Sequence, residues 1–409
     1  MIDGEPSALL RERPKAFADR APQETGVGAA PVSGAPVDVL FLMNALSVGG
    51  SERKVVRLAN ELAARRFSVA VVSLNEPDTL APLLSAAVPR WRLDRRGKFS
   101  FSAVRKLLAI IERQRPRLIV CVNMYPTLYA TAAKAILQRQ SPRIAALVNT
   151  TDFGPRERWR QRFYTHVLRR LDALVYGCQV QLDTWTSQAP RLGEHAEVIY
   201  NGVDLMEFRR EALGTDRASL RLEAGYAPGT FLIGSVGRLI PAKNHAALID
   251  ATAQLRRAGI DAALLVAGEG PLRATLEQRA ADLGIAEFVR FTGALTDVRP
   301  VLAMLDVFVL PSLYIETFSN AALEAMAMST PVVLSRIGGA AEMVRHGEEG
   351  YLVEPQALAL RLPELLTQLA REPRLRERMS VSARQRAERE FGFQNMIERY
   401  ASLIRRFAA

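Results

Sequence analysis

The sequence is poor in the side chains that build metal centres and disulfides. Its 409 residues include only 2 cysteines and 4 histidines. Cys121 and Cys178 each lie in an apolar, strand-like run, without a second cysteine or a histidine at metal-ligand spacing. We expect both to be buried free thiols in a reducing cytoplasm. Because no histidine pair has ligand spacing and no Asp-x-Asp occurs, the sequence predicts no metal site.

Signals for membrane insertion and for several enzyme classes are also absent. No run of eighteen apolar residues occurs, which argues against a transmembrane helix, and the N-terminus lacks a basic-then-apolar signal peptide. The sequence has neither the G-x-S-x-G elbow of hydrolases nor the G-x-x-x-x-G-K-[ST] loop of many nucleotide-binding enzymes. We therefore expect a cytoplasmic protein outside those classes.

Positive charge, by contrast, is abundant. The chain has 54 Lys and Arg against 43 Asp and Glu, a formal net charge of +11, and almost all of the excess is arginine. Such a balance favours anionic partners, namely phosphates, a membrane surface or nucleic acid. Because no zinc-ligand, aromatic RNA-binding or helix-turn-helix pattern is present, we expect no nucleic-acid partner.

Apolar strands alternate with helical segments along most of the chain, a pattern typical of parallel sheets covered by helices on both faces. A polar stretch that begins with an Asn-Gly turn interrupts the alternation. The sequence therefore predicts a disordered leader at 1–37, two doubly wound α/β domains at 38–204 and 227–392, a linker at 205–226 and a C-terminal helix at 393–409.

A glycine-rich turn follows the first predicted strand. Gly49 and Gly50 separate this strand from a helix predicted to begin at Lys54, and glycine lets a ligand approach the backbone closely. The turn is not G-x-G-x-x-G, so a dinucleotide site is only weakly indicated. A tight turn without a ligand is the alternative.

Residues 153–171 predict a helix that carries many arginines beside Trp159, Phe163 and Tyr164. Basic residues around interfacial aromatic side chains suit a peripheral contact with an anionic membrane. A solvated surface helix with its aromatic side chains in the core is the alternative.

The stretch 307–330 predicts a strand, a loop and a helix with two carboxylates. An apolar strand leads through a loop into a helix that Ser319 or Asn320 caps. Glu316 lies in the loop and Glu324 lies in the helix, eight positions further on. The free N–H groups and the positive dipole at the start of such a helix bind anions. Carboxylates beside an anion site suit a nucleotide-sugar, whereas a capped core helix with two solvated glutamates is the alternative.

Two cations follow the first strand of the second domain. Arg238 and Lys243 lie five residues apart, around a loop that leads into a helix, where they suit a diphosphate. Lys243 is the only lysine after Lys134 in a chain that otherwise uses arginine. This bias favours a specific role over the alternative, a chance surface lysine.

Several short segments share one resemblance. They are Gly49-Gly-Ser-Glu52, Tyr200-Asn-Gly-Val-Asp204, Val236-Gly-Arg-Leu with Lys243-Asn244, Gly268-Glu-Gly-Pro, Glu316-x7-Glu324 and Gly338-Gly-Ala-Ala-Glu342. Together they resemble the group 1 (family 4) retaining glycosyltransferases of the GT-B fold. The resemblance covers residues 38–409, and its motifs are more specific in the second domain. It implies two Rossmann-like doubly wound domains that face each other across a cleft, with the C-terminal helix crossing back to the N-terminal domain.

The resemblance also implies a donor site in the second domain and an acceptor side in the first. The donor would be a nucleotide-diphosphate sugar, UDP- or GDP-linked, with no further cofactor and no metal. Arg238 and Lys243 would hold its diphosphate, Glu316 would contact the transferred sugar, and Glu324 would bind the ribose hydroxyls. Catalysis would then depend on Glu316, Arg238 and Lys243.

Further contacts with the donor follow from the same resemblance. The backbone of Phe318, Ser319 and Asn320 would lie near the phosphates. Gly49 and Gly50 would close on the diphosphate from the other side.

The sequence departs from the family at one position. Many relatives have a histidine, which contacts the donor sugar, after the strand that ends here in Ala-Ala-Leu-Val. This chain has Asn149 there, followed by two threonines and Asp152. Asn149 or Asp152 would then hydrogen-bond a sugar hydroxyl.

The sequence therefore predicts a retaining, metal-independent hexosyltransferase that moves a sugar from a nucleotide-diphosphate sugar to a glycan or lipid-linked glycan acceptor, in polysaccharide or glycolipid biosynthesis. The basic first domain adds the hypothesis of a peripheral contact with the inner face of the membrane. The alternatives are a sugar-nucleotide epimerase, a phosphorylase, or a non-catalytic binding or scaffold protein with the same fold.

Overall fold

The computed structural model describes residues 36–47, 49–149, 158–314 and 316–408. These residues form two compact units. One unit is Gly202–Phe393, and the other consists of the described residues up to Asn201 together with those after Phe393. The predicted leader at 1–37 lies outside the described residues except for its last two positions.

Seven parallel strands form the sheet of the N-terminal unit: β1 (Val39–Met43), β2 (Val69–Ser73), β3 (Arg90–Arg92), β4 (Leu118–Val122), β5 (Arg143–Val148), β6 (Ala173–Tyr176) and β7 (Ala196–Val198). Their spatial order is β3-β2-β1-β4-β5-β6-β7. The chain runs from β1 out to one edge and then returns to β4 on the other side of β1. Consequently β1 and β4 flank the topological switch point of this sheet.

Six parallel strands form the second sheet: β8 (Phe231–Val236), β9 (Ala262–Ala267), β10 (Val289–Gly293), β11 (Val307–Leu310), β12 (Val332–Ser335) and β13 (Gly350–Val353). Their order is β10-β9-β8-β11-β12-β13, so β8 and β11 flank the switch point here.

Helices lie between most consecutive strands, and three more follow β13, the last strand. They are α1 (Gly50–Ala64), α2 (Phe101–Gln114), α3 (Met124–Leu137), α4 (Arg158–Leu168), α5 (Gln179–Gln188), α6 (Arg217–Glu223), α7 (His245–Arg257), α8 (Arg273–Asp282), α9 (Arg299–Met304), α10 (Asn320–Ala327), α11 (Ala340–Met343), α12 (Leu358–Arg371), α13 (Pro373–Glu390) and α14 (Phe393–Ala408). Every residue of the central strands β1, β4 and β11 is buried, as expected for a parallel sheet with both faces covered. The predicted pair of doubly wound α/β domains is confirmed.

The observed strands fall in the apolar stretches that alternate with helical segments in the sequence. The exception is β3, which the sequence did not predict. Its residues, Arg-Trp-Arg, are exposed or only half-buried because β3 is an edge strand. It therefore lacks the apolar run that marks the other strands.

Two helix predictions differ from the structure in their bounds. The helix α1 begins at Gly50 rather than at Lys54, so Gly50 belongs to its first turn. The basic helix predicted over 153–171 is α4, and residues 153–157 lie outside the described residues. On α4 the side chain of Tyr164 is buried, whereas Trp159 and Phe163 are 69% and 53% exposed.

The stretch 205–226, predicted as a linker, contains α6. Asp216 caps this helix by accepting hydrogen bonds from the N–H groups of Ala218 and Ser219. Arg217 and Arg221 of α6 form ion pairs with Asp306, which immediately precedes β11. The stretch therefore packs on the second sheet and is part of the Gly202–Phe393 unit.

The C-terminal helix predicted at 393–409 corresponds to α14, Phe393–Ala408. It lies on the N-terminal unit, where Glu398 pairs with Arg65 and Arg406 pairs with Glu197. The guanidinium of Arg405 also stacks 5.6 Å from the ring centroid of Phe67. The last helix of the sequence thus belongs to the unit that begins the described chain.

Candidate donor site

The loops that follow β8 and β11 lie next to each other at the switch point of the second sheet. In open α/β sheets this is where ligands bind, outside the carboxyl ends of the strands. The loop after β8 contains Arg238 and Lys243, and the loop after β11 contains Glu316. A backbone hydrogen bond of 2.8 Å, from the N–H of Leu313 to the carbonyl of Ala242, joins the two loops.

An ion pair joins the same two loops through their side chains. The Lys243 Nζ donates a hydrogen bond to the Glu316 Oε2. The two side chains are 17% and 18% exposed, so this pair is only partly screened by water. The sequence predicts these two residues in one site, and the structure places them in direct contact although 73 positions separate them.

A third side chain contacts the same carboxylate oxygen. The hydroxyl of Ser312, which is 1% exposed, donates to the Glu316 Oε2 over 3.1 Å. Both protein donors therefore bind Oε2. Neither of these two hydrogen bonds involves the other carboxylate oxygen, Oε1.

Helix α10 begins directly after this loop. Ser319 caps it, because its Oγ accepts a hydrogen bond of 3.3 Å from the N–H of Ala322. Asn320 is the first helical residue, and Glu324 lies partly buried one turn further on. Phe318 is buried with its ring 5.3 Å from that of Phe391, which fixes the backbone at the helix start.

A glycine in the neighbouring loop after β12 holds the Glu316 backbone in place. Gly338 has a φ of +52°, and a Cβ at this position would overlap the carbonyl oxygen of Glu316. The N–H of Gly339 donates a 2.7 Å hydrogen bond to the carbonyl of Thr317. The Gly-Gly pair thus gives room to the loop that carries Glu316.

Arg238 is exposed, and no ion pair or side-chain hydrogen bond joins it to the other described residues. It follows β8 in the same loop as Lys243, but it forms no ion pair with Glu316. Its role in holding a diphosphate stays a prediction.

Gly49 and Gly50 lie in the N-terminal unit. Gly49 is the N-cap residue of α1, with extended backbone, and the carboxylate of Glu52 occupies the space that a Cβ on Gly49 would need. The contact of these two glycines with a diphosphate also stays a prediction.

Comparison with known proteins identifies the family. The model of "Glycosyltransferase Family 4" matches residues 48–207, and the model of "Glycosyl transferases group 1" matches residues 217–386. The two matches together span most of both units. The chain belongs to the group 1 glycosyltransferases.

Curated relatives of this glycosyltransferase cover part of its length. A GDP-mannose-dependent monoacylated α-(1-6)-phosphatidylinositol monomannoside mannosyltransferase of Corynebacterium glutamicum is 32% identical over 244 residues, which are 57% of this chain and 62% of that protein. A GDP-mannose-dependent α-(1-6)-phosphatidylinositol dimannoside mannosyltransferase of Mycobacterium tuberculosis is 39% identical over 193 residues, 46% of each chain. The matched regions thus span less than two thirds of these relatives.

Solved structures show the fold of the glycosyltransferase. Anabaena HepE, in complex with UDP, has a TM-score of 0.78 at 22% identity and matches 90% of this chain and 99% of its own. The lipopolysaccharide glycosyltransferase WaaG has a TM-score of 0.70 at 18% identity over 90% of this chain and 99% of its own. These likenesses confirm the predicted GT-B fold.

Two side chains near the site were not singled out by the sequence. Ser312 has no motif character, and only its contact with Glu316 reveals it. His245, the first residue of α7, is 2% exposed, and neither ring nitrogen has a hydrogen-bond partner among the described residues. Burial, with a smaller contribution from the nearby charge of Lys243, lowers the pKa of His245 to about 4. It is therefore a neutral neighbour of the Lys243–Glu316 pair.

The residue that replaces the family histidine is only partly described. Asn149 lies at the end of β5, where its Nδ2 donates a 3.1 Å hydrogen bond to the Oδ1 of Asn123. Asp152 lies outside the described residues.

Within the described ranges, no cluster of three or more histidine, cysteine, aspartate or glutamate side chains has the arrangement of a metal site. None of the described helices is both long and apolar enough to span a bilayer.

Proposed function

We propose that the protein is a retaining, metal-independent hexosyltransferase. It moves a sugar from a nucleotide-diphosphate sugar to a glycan or lipid-linked glycan acceptor. The observation that carries this proposal is the Lys243–Glu316 pair, held at a sheet switch point beside the start of α10. It combines a cation for the phosphates with a carboxylate for the sugar hydroxyls.

The proposed reaction depends on stabilising the negative charge of the leaving group. When the bond between the anomeric carbon and the phosphate oxygen breaks, negative charge develops on the departing diphosphate. Lys243, Arg238 and the N–H groups at the start of α10 are the donors that would stabilise this charge. The acceptor oxygen attacks the same face that the phosphate leaves, and the phosphate takes the acceptor proton. This step needs no general base from the protein, and the cations do the work that a divalent metal does in other transferases.

The Glu316 geometry fits a binding role. Because Lys243 and Ser312 both bind Oε2, this oxygen is fixed, and Oε1 is the one that would accept hydrogen bonds from hydroxyls of the transferred sugar. Glu324, one turn into α10, would accept from the ribose hydroxyls.

GDP-mannose is the first donor to test. The curated relatives at 32% and 39% identity are GDP-mannose-dependent mannosyltransferases with phosphatidylinositol mannoside acceptors. This favours a GDP-linked hexose and a glycolipid acceptor here. UDP-glucose is the natural second probe, because UDP is the nucleotide bound to HepE.

Thermal denaturation with nucleotide-sugars tests the proposal. A donor present at 100 times its dissociation constant stabilises the folded state by about 2.7 kcal/mol. We expect GDP-mannose or UDP-glucose to raise the Tm equally with and without EDTA. The variants Lys243→Met and Glu316→Gln should lose this response, whereas Lys106→Met, an exposed lysine of the other unit, should keep it. A donor response that survives Lys243→Met and Glu316→Gln combined would refute the site, and one that requires a divalent metal would refute metal independence.

A second measurement, of the reaction products, distinguishes a transferase from an epimerase-like protein and from a non-catalytic scaffold. Incubation of the stabilising donor with a glycolipid acceptor should give a glycosylated product and free nucleotide diphosphate. Recovery of an isomerised nucleotide-sugar would indicate an epimerase-like protein. Donor binding without any product, across a panel of acceptors, would favour a non-catalytic scaffold.

We further propose that α4 contacts an anionic membrane surface. Trp159 and Phe163 are one helical turn apart and exposed. Arg162 on the same helix is exposed, as are Arg169 and Arg170 directly after it. Aromatic side chains among arginines are suited to the interface of an acidic bilayer. Such a contact would bring the enzyme to a lipid-linked acceptor.

Sedimentation with liposomes tests the membrane contact. We expect binding to vesicles that contain phosphatidylglycerol and little binding to neutral phosphatidylcholine vesicles. Replacing Trp159 and Phe163 by Ala should weaken it, whereas Leu222→Ala, an equally exposed apolar residue of α6, should not. Equal binding to neutral and acidic vesicles would contradict the proposal.

A further inference from the structure

Helix α10, which begins at the candidate donor site, ends in a Schellman motif. The N–H groups of Ser329 and Thr330 donate to carbonyls of its last turns over 3.0 and 2.9 Å, and Ser329 has the left-handed φ of this motif, 55°. These two bonds do not involve the carbonyl of Ala327. That carbonyl accepts a 2.6 Å hydrogen bond from the Nη1 of Arg384, on α13. A side chain of another helix therefore completes the end of α10.

Helix α13 also supports the start of α10. Phe391, the C-cap residue of α13, packs its ring against that of Phe318 at a centroid distance of 5.3 Å and an interplanar angle of 65°. Phe318 directly precedes Ser319, which caps α10. Arg384 and Phe391 are seven residues apart, so they lie on one face of α13. Because α10 has eight residues and is about 12 Å long, the two contacts hold it at both ends.

Arg384 and Phe391 are fixed in turn by the first residues of the Gly202–Phe393 unit. The Arg384 guanidinium also donates to the carbonyl of Phe208 over 2.7 Å and to that of Leu205 over 3.3 Å. The carbonyl of Phe391 accepts a 2.9 Å hydrogen bond from the N–H of Val203. The beginning of this unit and α13 thus form one support for α10.

The position of α10 matters for the proposed reaction because its first N–H groups are donors for the departing diphosphate. Hydrogen bonds weaken steeply when the donor is no longer aligned with the acceptor. A misplacement of about 1 Å, caused by a change far from the reacting atoms, can reduce a rate about a hundredfold. A helix held at both ends keeps its N–H groups in one place.

We propose that Arg384 and Phe391 are positioning residues of the donor site. Arg384 acts through the end of α10, and Phe391 acts through Phe318 at its start. This inference rests on the proposed transferase function, and it adds α13 to the elements that determine the affinity for the donor. Neither side chain acts by contact with the donor itself.

Isothermal titration calorimetry of the full chain, with GDP and with UDP, tests the proposal at a temperature where circular dichroism shows each variant to be folded. We expect the wild type to bind at least one of the two nucleotides, and Lys243→Met to bind it more weakly. Arg384→Gln and Phe391→Leu should each raise the Kd roughly tenfold. Arg384→Lys should raise it too, because an ammonium group keeps the charge but not the planar fork that reaches several carbonyls. Arg378→Gln, which removes an exposed arginine of the same helix, is the matched control and should leave the Kd unchanged.

The same variants separate positioning from support of the fold and from charge. A lower Tm with an unchanged Kd in Arg384→Lys and Phe391→Leu would show a merely structural role and overturn the inference. Wild-type affinity in Arg384→Lys, together with a loss in Arg384→Gln, would assign the effect to charge and overturn it as well. An equal loss in Arg378→Gln would do the same. If Arg384→Gln does not fold, Arg384→Lys and Phe391→Leu decide the question.

Failure of this inference differs from failure of the proposed function. If the wild type binds neither nucleotide, the proposed function and the positioning role are both refuted. If Lys243→Met abolishes binding whereas Arg384→Lys and Phe391→Leu preserve it, the donor site stands and only the positioning role is refuted.

Discussion

One buried carboxylate, Asp306, holds the stretch 205–226 on the second sheet. It accepts a 2.8 Å hydrogen bond from Arg217, another from Arg221, and a 2.8 Å bond from the N–H of Leu232 on β8. Arg376 lies 3.6 Å from the same carboxylate. Burial raises the pKa of Asp306, but the charges of Arg217 and Arg221 outweigh it, so the pKa lies below its usual range.

Asp306→Asn keeps the volume and removes the charge on which these guanidinium groups converge. The side chains of Asp306 and Arg221 are each 7% exposed, and Arg376 is 20% exposed, so water replaces the lost charge poorly. Breaking a buried ion pair from one side costs about 3–5 kcal/mol. For a domain of this size the Tm should fall by roughly 6–20 °C. We expect the effect in the Gly202–Phe393 unit, to which these residues belong.

Thermal unfolding followed by circular dichroism measures this change. The control is Asp250→Asn, since Asp250 pairs with Arg279 in an exposed, bidentate contact that is worth at most about 1 kcal/mol. The depressed pKa also sets the pH dependence. The stabilisation is present above the unfolded pKa of about 3.9 and is lost as pH falls through the folded value, so the Tm difference between wild type and Asp306→Asn should narrow only below about pH 4. Equal Tm changes for Asp306→Asn and Asp250→Asn would refute this reasoning.

Three further predictions follow from the described contacts. Gly338→Ala should lower the free energy of unfolding, measured by urea titration, by roughly 1–3 kcal/mol and should weaken donor binding, because a Cβ there overlaps the Glu316 carbonyl. Gly229→Ala, where a Cβ would meet no atom within 4 Å, should change neither quantity. Burial lowers the pKa of Lys54 to about 8 in the folded protein, whereas the unfolded lysine keeps its proton to about pH 10.4. The free energy of unfolding of the wild type should therefore rise between these pH values, and that of Lys54→Met should not. Ser312→Ala should weaken donor binding about tenfold, and a Tm loss with unchanged donor affinity would contradict its role at Glu316.

The strands were predictable because a strand that is buried on both faces needs apolar residues at nearly every position. Runs such as those of β1 and β11 are continuously apolar, and only a covered parallel strand requires that. The edge strand β3 has no such requirement, so its charged residues gave no signal. The same physics therefore explains both the predicted strands and the missed one.

The attachment of the stretch 205–226 could not be predicted from the sequence because it is electrostatic. Its polar composition is typical of a linker, but Arg217 and Arg221 find their partner Asp306 more than 80 positions away. The composition of a stretch indicates whether it packs through apolar side chains, but it does not indicate an ion pair with a residue far away in the sequence. Only the folded chain shows that these arginines are structural.

At the candidate site, residue types were predictable and contacts were not. Motif spacing and the lysine bias both pointed to Lys243 and Glu316, which the structure joins. The hydroxyl of Ser312 and the positive φ of Asn123 depend on backbone geometry that no spacing encodes. A glycine in a sequence indicates a possible positive φ, whereas an asparagine at the same position gives no such clear indication.

The two switch points differ in chemistry although they share a topology. The edge after β8 and β11 carries Lys243 and Glu316, whereas the edge after β1 and β4 carries the neutral amides of Asn44 and Asn123. If the proposed reaction is correct, charge is needed where a diphosphate departs, because the developing negative charge must be stabilised there. An incoming alcohol carries no charge until the bond forms, so it needs orientation more than electrostatic stabilisation.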